Sequence, residues 1–385
     1  VLMRHVLTLC LCLLLWPLAL AAQDSDSDRG FIQGLLEDAL SAPGRDVRIE
    51  GFAGALSSRA TIDRITVTDP EGVWLTVEDV SMVWTRTALA RGRIAIDEIS
   101  IGRIDLPRAP LPPERQISAE AAGAEGAFSL PDLPVAVNIA SMTVAEAELG
   151  ETLFGQAARM TFEGSAALEG GDGTVDLALT RLDQDGTFTV AGAFSNTTRV
   201  LSLDLELDEP ENGIAATLLD LPGKPSVRLS AAGDDPIGDF TATLALATDG
   251  QDRLAGTVTL RQEETGAQAL VLDIGGDVAP LFLPEYRDFL GSDVLLAAQA
   301  QRQPDGALQL DGLRLRAAAL NLEGTARIGA NGWPERLRLD GSIVPPDGDR
   351  VTLPLSGPPV SVENATLRGS FDAASGDRWT LMGTL

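Results

Sequence analysis

The alternation of apolar and polar residues between Asp46 and Leu106 constrains the fold of this chain more than any other feature. Apolar residues recur at every second position within short runs, and a period of two is typical of strands with one buried face. Turn residues, as in Asp69-Pro70-Glu71-Gly72 and Arg91-Gly92, separate the runs. The stretch is predicted to be a meander of about five short strands. Small shifts of phase, as between Ile62 and Ile65, predict strand ends or bulges.

The same pattern continues through the rest of the chain. Alternating runs follow one another from Val135 to Ile274, with Asp-Gly or Gly-Gly at many of the joints between them. One interruption, Val278 to Gly291, predicts a short helix with Pro284 near its first turn. Strand patterns resume at Val294 and continue to Leu355. The chain is therefore predicted to be almost entirely β.

A helix is predicted before the first strand, from Phe31 to Ala42. Asp28 is its expected N-cap, and Pro43-Gly44 ends it. Its apolar stripe includes Phe31, Leu35, Leu36 and Leu40. We interpret this helix as a plug over the open end of the sheet, which would otherwise expose apolar surface. The alternative is a membrane-proximal element that gates entry to the sheet interior.

The distribution of histidine and cysteine argues against an enzyme. The only His is His5, and both Cys, Cys10 and Cys12, lie in the N-terminal apolar segment. A Ser-His-Asp or Cys-His pair therefore cannot be built from the remainder, nor can a His/Cys zinc site. The sequence contains no phosphate-binding or dinucleotide-binding glycine motif. We expect no catalytic residues, no cofactor and no metal; a hydrolase that uses only carboxylates is a distant alternative.

The net charge argues against a nucleic-acid partner, and the N-terminal segment indicates an exported protein. A net charge of −27 would repel nucleic acid, so we expect no nucleic-acid partner. Residues 1–22 form an apolar segment with Ala19-Leu20-Ala21 as a small-x-small cleavage site. A cleavable signal peptide and a retained signal-anchor are both compatible with this segment.

A sheet with one apolar face can hide that face in two ways. Two such sheets close on each other as a sandwich, or one sheet curls into an open trough whose concave side binds an apolar guest such as an acyl chain. The residues alone leave both open. The candidate lining residues of a trough are Ile62, Ile65, Val67, Val77, Val80, Val83, Ile94 and Ile96.

Two stretches resemble a known family. Arg29 to Ser41 and Arg45 to Trp84, with Ala88 to Pro110, resemble the N-terminal part of TamB-type translocation and assembly proteins, and Ala279 to Ala326 resembles their AsmA-like repeat. The resemblance implies an all-β fold: a long, curled antiparallel or mixed sheet forming an open β-trough, with the helix plug and one small internal helix. It also implies a Gram-negative periplasmic protein anchored in the inner membrane by one N-terminal span.

The same resemblance implies a function and partners. TamB-type proteins act in outer-membrane protein assembly and phospholipid transport, so the expected partners are an outer-membrane barrel of the TamA type, phospholipid acyl chains, and the membrane at the N-terminal segment. The alternative is a secreted or surface β-repeat adhesin with closed sandwich cores.

The predicted domain organisation follows these patterns. It comprises the signal segment at 1–22, a spacer and amphipathic helix at 23–44, the first meander at 45–106, a Pro/Ala-rich loop at 107–126, a β-repeat region at 127–276, and an AsmA-like repeat at 277–385. The last strand pattern, Arg378 to Leu385, predicts that the sequence is a fragment of a longer protein.

Overall fold

The structure is a computed structural model that describes residues 37, 41, 45–54, 58–111, 128–131, 133, 135–263, 265–346, 348–354, 359–376 and 378–384. It is nearly all-β, 63% strand and 9% helix, which confirms the predicted fold class. The chain divides into two compact units, Val1–Thr197 (unit 1) and Thr198–Leu385 (unit 2). The predicted helix plug at Phe31, Leu35, Leu36 and Leu40 lies outside the described residues, as does the segment at 1–22.

Unit 1 contains a mixed sheet in which each strand pairs with the next one along the chain. Its strands are β1 (Asp46–Glu50), β2 (Arg59–Asp69), β3 (Gly72–Trp84), β4 (Arg93–Leu106), β5 (Ala136–Leu149), β6 (Ala158–Glu169), β7 (Asp172–Arg181) and β8 (Thr187–Ser195). All neighbours are antiparallel except β4 and β5, which run parallel. A 3-10 helix, Arg86–Arg91, joins β3 to β4, and α1 (Glu151–Phe154) joins β5 to β6.

The opening meander has four strands, of which β2, β3 and β4 are 11 to 14 residues long, where the sequence predicted about five short ones. The reason is that phase shifts in the apolar pattern occur inside strands. The backbone pairing between neighbouring strands skips one residue in each strand. These residues, which lie side by side on β2 to β5, are Asp63, Asp79, Gly102 and Ala145. We call this line the ladder break. Because each strand carries one irregular residue here, the strands continue on both sides of it in step.

The free edge of β1 is covered by polar side chains from the preceding segment. The backbone N–H of Val47 donates to Ser41 Oγ at 3.0 Å, and that of Ile49 donates to Glu37 Oε1 at 2.6 Å. Unpaired edge groups of this kind are a common route to unwanted strand pairing, so these contacts protect the sheet.

Unit 2 contains an antiparallel sheet of eleven strands and a separate two-stranded pair among its described residues. The strands are β9 (Val200–Glu209), β10 (Val227–Pro236), β11 (Asp239–Thr248), β12 (Gln251–Gln262), β13 (Gln268–Gly276), β14 (Val294–Arg302), β15 (Leu308–Arg316), β16 (Leu320–Ile328), β17 (Pro334–Ile343), β18 (Val351–Thr352), β19 (Ser361–Val362), β20 (Ala365–Asp372) and β21 (Arg378–Thr384). β18 pairs with β19, and β17 pairs with β20.

Helical insertions connect some of the unit 2 strands, and they lie at the same end of the strands. α2 (Ile214–Leu218) lies between β9 and β10, and two 3-10 helices, Ala279–Leu281 and Pro284–Tyr286, precede α3 (Arg287–Leu290) between β13 and β14. The second insertion is the short helix that the sequence predicted at Val278 to Gly291. A last 3-10 helix, Ala373–Ser375, connects β20 to β21 at the opposite end of the strands.

Candidate functional site

The candidate site is the apolar face of the sheet in each unit, and strand register determines which residues belong to it. Residues directly opposite one another on neighbouring strands share a face. In unit 1 Ile49 lies opposite Ile65, Ile65 opposite Val77, and Val77 opposite Ile104. Val67 lies opposite Val47 on the same side. These contacts join four strands into one apolar surface.

The ladder break does not interrupt this surface. Ile62 lies opposite Val80, and Val80 opposite Ile101, on the far side of the break. Ile62 packs with Ile65 against the buried cluster of Val47 and Ile49. The steps of three residues in the sequence, such as Ile62 to Ile65, therefore keep the apolar side chains on one face.

Ile94 and Ile96 extend the same face on to β5. They lie opposite Val137 and Ile139, and Met82 and Trp84 pack against this cluster. The structure thus brings together seven of the eight candidate lining residues: Ile62, Ile65, Val67, Val77, Val80, Ile94 and Ile96.

Val83 is separated from the other seven. It lies opposite Arg59 on β2 and opposite Glu98 on β4, which puts it on the charged face of the sheet. The reason is the alternation of β3 beyond the ladder break, where Val80, Met82 and Trp84 share the apolar side. An apolar residue type alone did not distinguish the two faces at this position.

The apolar face of unit 1 contains both fully buried and partly exposed residues. Ile49 and Ile94 are each only 1% exposed. Ile65, Val77 and Val80, between them, are only partly buried. The buried clusters on this face join residues of neighbouring strands, and the sheet is not closed.

Unit 2 has an apolar face of the same kind. Its rows of directly opposed residues cross the sheet, and one row, from β9 to β20, consists of Leu205, Ala231, Leu244, Gly256, Ile274, Leu296, Leu315, Leu322, Gly341 and Leu367. Several large side chains on this face remain accessible: Leu260 is 50% exposed, Leu270 38% and Leu367 40%. Leu260 and Leu270 lie directly opposite each other, so their exposed surfaces adjoin on this face.

The helical insertions cover the apolar face of unit 2 at one end of its strands. Phe289 and Leu290 of α3 pack with Val294, Val351 and Val362 in a buried cluster. Ala216 of α2 packs with Leu221 and Val227. Neither α2 nor the 3-10 helix Arg86–Arg91 was predicted from the sequence. The apolar runs Ile214 to Leu219 and Ala88 to Ala90 are the signals that were available.

The opposite face carries ion pairs between directly opposed residues. Arg64 pairs with Glu78 at 2.6 Å, Arg228 with Asp208 at 2.6 Å and Arg368 with Asp340 at 2.8 Å. The hydrogen bonds to Glu78 and Asp208 raise the pKa of Arg64 and Arg228. The two faces therefore differ sharply: one is charged and suited to water, and the other is apolar and partly uncovered.

The described residues do not assemble a metal centre or a membrane-spanning helix. Among them, no three His, Cys, Asp or Glu side chains are grouped to hold a metal ion. None of the helices in the described ranges has the length and hydropathy needed to cross a membrane.

Comparison with known proteins gives one match. The model of a family described as YdbH-like, "Intermembrane phospholipid transport protein YdbH", matches residues 7–232, more than half of the chain. No curated protein and no solved structure matched the chain. The matched family is AsmA-like, whereas the resemblance to TamB-type proteins specifically is not supported.

Proposed function

Because the chain belongs to the YdbH-like family, we propose that it carries phospholipids between membranes, with their acyl chains lying on the apolar faces of its two units. The observation that carries this proposal is the partial exposure of those faces. Large aliphatic residues such as Ile65, Leu260 and Leu367 lie on the apolar side of a sheet that is not closed, and they remain partly accessible.

The energetics of an acyl chain suit such a surface. Each methylene removed from water contributes about 0.8 kcal/mol, so a chain of ordinary length is held by several kcal/mol. The rows of the unit 2 face repeat Leu, Ile, Val, Ala and Gly, and one position offers an acyl chain nearly the same environment as the next. A lipid can therefore move along the face without meeting a deep trap, while its headgroup stays in water.

The unclosed sheet argues against the alternative of a sandwich-type adhesin. Closed sandwiches bury their inner faces between two sheets about 10 Å apart. On the apolar face of unit 2, the directly opposed Leu260 and Leu270 are 50% and 38% exposed. Exposure of both leucines favours an open apolar face over a closed core.

The cellular setting follows from the proposed activity. A protein that moves phospholipid between two membranes works in the periplasm and meets a membrane, and residues 1–22 are our candidate for a single inner-membrane anchor. A role in outer-membrane protein assembly with a TamA-type barrel stays a prediction, because it depends on the resemblance to TamB-type proteins.

Site-specific photo-crosslinking tests the proposed function. A benzoyl-phenylalanine at Ile65 or Val77 should crosslink to phospholipid in cells. The same probe at Thr66 or Thr76, the neighbouring residues on the opposite face, should not. Equal lipid crosslinking from both faces, or none from either in folded protein, would refute the proposal.

A charged substitution on the apolar face provides a second test of the proposed function. Ile65→Asp should reduce lipid crosslinking at Val77 by about tenfold, because desolvating a carboxylate on the lipid path costs more than 1.4 kcal/mol. Thr66→Asp, on the opposite face, is the matched control and should leave crosslinking unchanged. Wild-type crosslinking in a stably folded Ile65→Asp variant would contradict the model.

A further inference from the structure

The two helical insertions of unit 2 carry large apolar side chains that face solvent. On α2, Leu218 and Leu219 are 59% and 57% exposed. In the second insertion, Phe282 and Leu283 lie between the two 3-10 helices and are 41% and 47% exposed. Single exposed apolar residues are ordinary, but here each insertion presents two in succession. We call these four residues the tip residues.

The two insertions adjoin each other at Leu281. This residue packs against the buried cluster of Ala216 and Val227 below α2, and also against the buried cluster that contains Phe289 of α3. The cluster below α2 in turn contacts Leu207 and Leu246, which lie on the apolar face of the sheet. Apolar contacts therefore run from the insertions on to that face.

Backbone contacts hold α2 in place over the sheet. The Ala215 N–H donates to the buried Glu209 carboxylate at 2.7 Å, and the Leu221 N–H donates to Ala216 O at 3.0 Å. Ala216 is completely buried. With Ala216 fixed against the sheet, the exposed leucines of α2 are presented to solvent.

The tip residues themselves lie in uncharged segments. No charged residue occurs in Ile214 to Leu219 or in Val278 to Leu283. Such segments can enter an apolar environment without desolvating a charge.

The exposed charged residues that flank the tip residues are mostly acidic. They are Glu211, Asp220 and Lys224 in the first insertion. In the second they are Glu285, Arg287, Asp288 and Asp293. Asp277, which precedes the second insertion, pairs with Arg253 at 3.2 Å. An anionic surface would be repelled by this surround, whereas a surface without net charge would not.

We propose, on the basis of the proposed function, that the tip residues insert into the headgroup boundary of a zwitterionic phospholipid bilayer. Leucine and phenylalanine side chains are typical of elements that bury their apolar side at this boundary. The bilayer is the occupant because a phospholipid must pass between it and the apolar face, and the insertions adjoin one end of that face. The uncharged tips in an acidic surround select zwitterionic over anionic headgroups.

Site-specific fluorescence in the full chain tests this proposal. With Cys10 and Cys12 replaced by Ser, Leu219→Cys or Leu283→Cys places a single nitrobenzoxadiazole label on one tip residue. Phosphatidylcholine vesicles should shift the emission of either label to shorter wavelength, and the same label at Leu182→Cys, on an exposed leucine of unit 1, should not respond. Unchanged emission at both tip residues would overturn the proposal.

Vesicle composition tests the choice of headgroup. Adding phosphatidylglycerol to the phosphatidylcholine should weaken the emission shift of the Leu219 label, because the acidic residues around the tips meet a negative surface. Raising the salt concentration should reduce this difference. A stronger shift with phosphatidylglycerol would contradict docking on a zwitterionic surface.

A double substitution tests whether the two insertions act as one surface. Phe282→Ser/Leu283→Ser should lower the insertion constant of the Leu219 label, the ratio of shifted to unshifted emission, about tenfold, because two large apolar side chains leave the contact. Leu89→Ser/Leu182→Ser, at leucines of unit 1 that are 43% and 47% exposed, is the matched control and should change the constant less than about twofold. Equal losses in the two variants would refute a joint docking surface.

A label on the apolar face separates failure of this proposal from failure of the proposed function. Leu270 lies near the start of β13, away from the insertion that follows the end of this strand. A Leu270→Cys label should respond to acyl chains on the face. A response at Leu270 with none at the tip residues would refute docking by the insertions and leave the proposed function standing. Labels in the otherwise unchanged protein decide this even where a serine variant does not fold.

Discussion

At the scale of single residues, one ion pair ties the opening strands to the segment that follows β4. Arg108 holds Asp69 with two hydrogen bonds, at 2.8 and 2.5 Å, and the backbone N–H groups of Glu71 and Leu111 also donate to the Asp69 carboxylate. Arg108 also donates to Gly72 O at 2.8 Å. The β2–β3 turn and the segment after β4 are thereby fixed together.

This pair predicts a pH-dependent contribution to stability. The Arg108 guanidinium holds the pKa of Asp69 well below its usual range. A lowered folded-state pKa stabilises the fold above the unfolded value of about 4, and the contribution is lost as pH falls through the folded value. Asp69→Asn should therefore lower the thermal midpoint at pH 7, and its difference from wild type should shrink as the solution becomes strongly acidic. Circular dichroism melts across this pH range measure both.

The control for this prediction is an exposed pair. Arg314 Nε lies 3.4 Å from Glu323 Oε1, and both side chains are accessible to solvent. Exposed ion pairs of this kind contribute little to the stability of the fold. Arg314→Gln should leave the midpoint at pH 7 nearly unchanged. An Asp69→Asn variant as stable as wild type at pH 7 would contradict the role assigned to the pair.

At the scale of elements, the ladder break keeps β2 to β5 in step. Asp79 has φ 54°, and Gly102 lies beside it: a Cβ on Gly102 would meet the Asp79 Cβ at 2.8 Å. Glycine is therefore needed at this position because Asp79 occupies the space. The phase shifts in the sequence predicted irregularities, but their alignment across four strands depends on pairing.

A substitution at Gly102 tests this account. Gly102→Val should destabilise the protein by about 1–3 kcal/mol, because the added side chain forces β3 and β4 apart. Urea denaturation followed by circular dichroism measures the change. The matched control is Gly312→Val on β15, where an added Cβ meets no atom within 4 Å. Similar losses in the two variants would show that close packing at the ladder break is not the cause.

At the scale of the whole molecule, the two units share one design. Each has a charged face with cross-strand ion pairs and an apolar face that stays partly accessible. An uncovered apolar face is unfavourable in water, so we expect lipid to accompany the protein on purification. Mass spectrometry of the purified chain identifies it.

Removing that lipid should weaken the fold. A ligand that binds only the folded state stabilises it, by about 2.7 kcal/mol when its concentration is 100 times the dissociation constant. Delipidated protein should have a lower thermal midpoint. It should also bind more of a dye that reports exposed apolar surface. Adding phospholipid should restore the midpoint, while glycerophosphocholine, which lacks acyl chains, should not. Restoration by both would contradict acyl-chain binding.

Some of this protein could be predicted from its sequence because the relevant signals are local. The period of two specifies strands with one apolar face, and the absence of His and Cys after residue 12 excludes several catalytic and metal sites. The same local pattern placed seven of eight candidate residues on one face. The resemblance of longer stretches such as Arg45 to Trp84 predicted a TamB-type, AsmA-like protein, and the AsmA-like relation is confirmed while TamB specifically is not.

The tertiary structure decided what depends on pairing between distant residues. Alternation is identical in a sandwich and in a single open sheet, so only the pairing of distant strands distinguishes them, and here the sheet is not closed. Val83 lies on the charged face because of its register with Arg59 and Glu98. Arg108 finds Asp69 across 39 residues. Register and long-range contacts depend on the free energy of the whole sheet. They therefore cannot be predicted from any short stretch of the sequence.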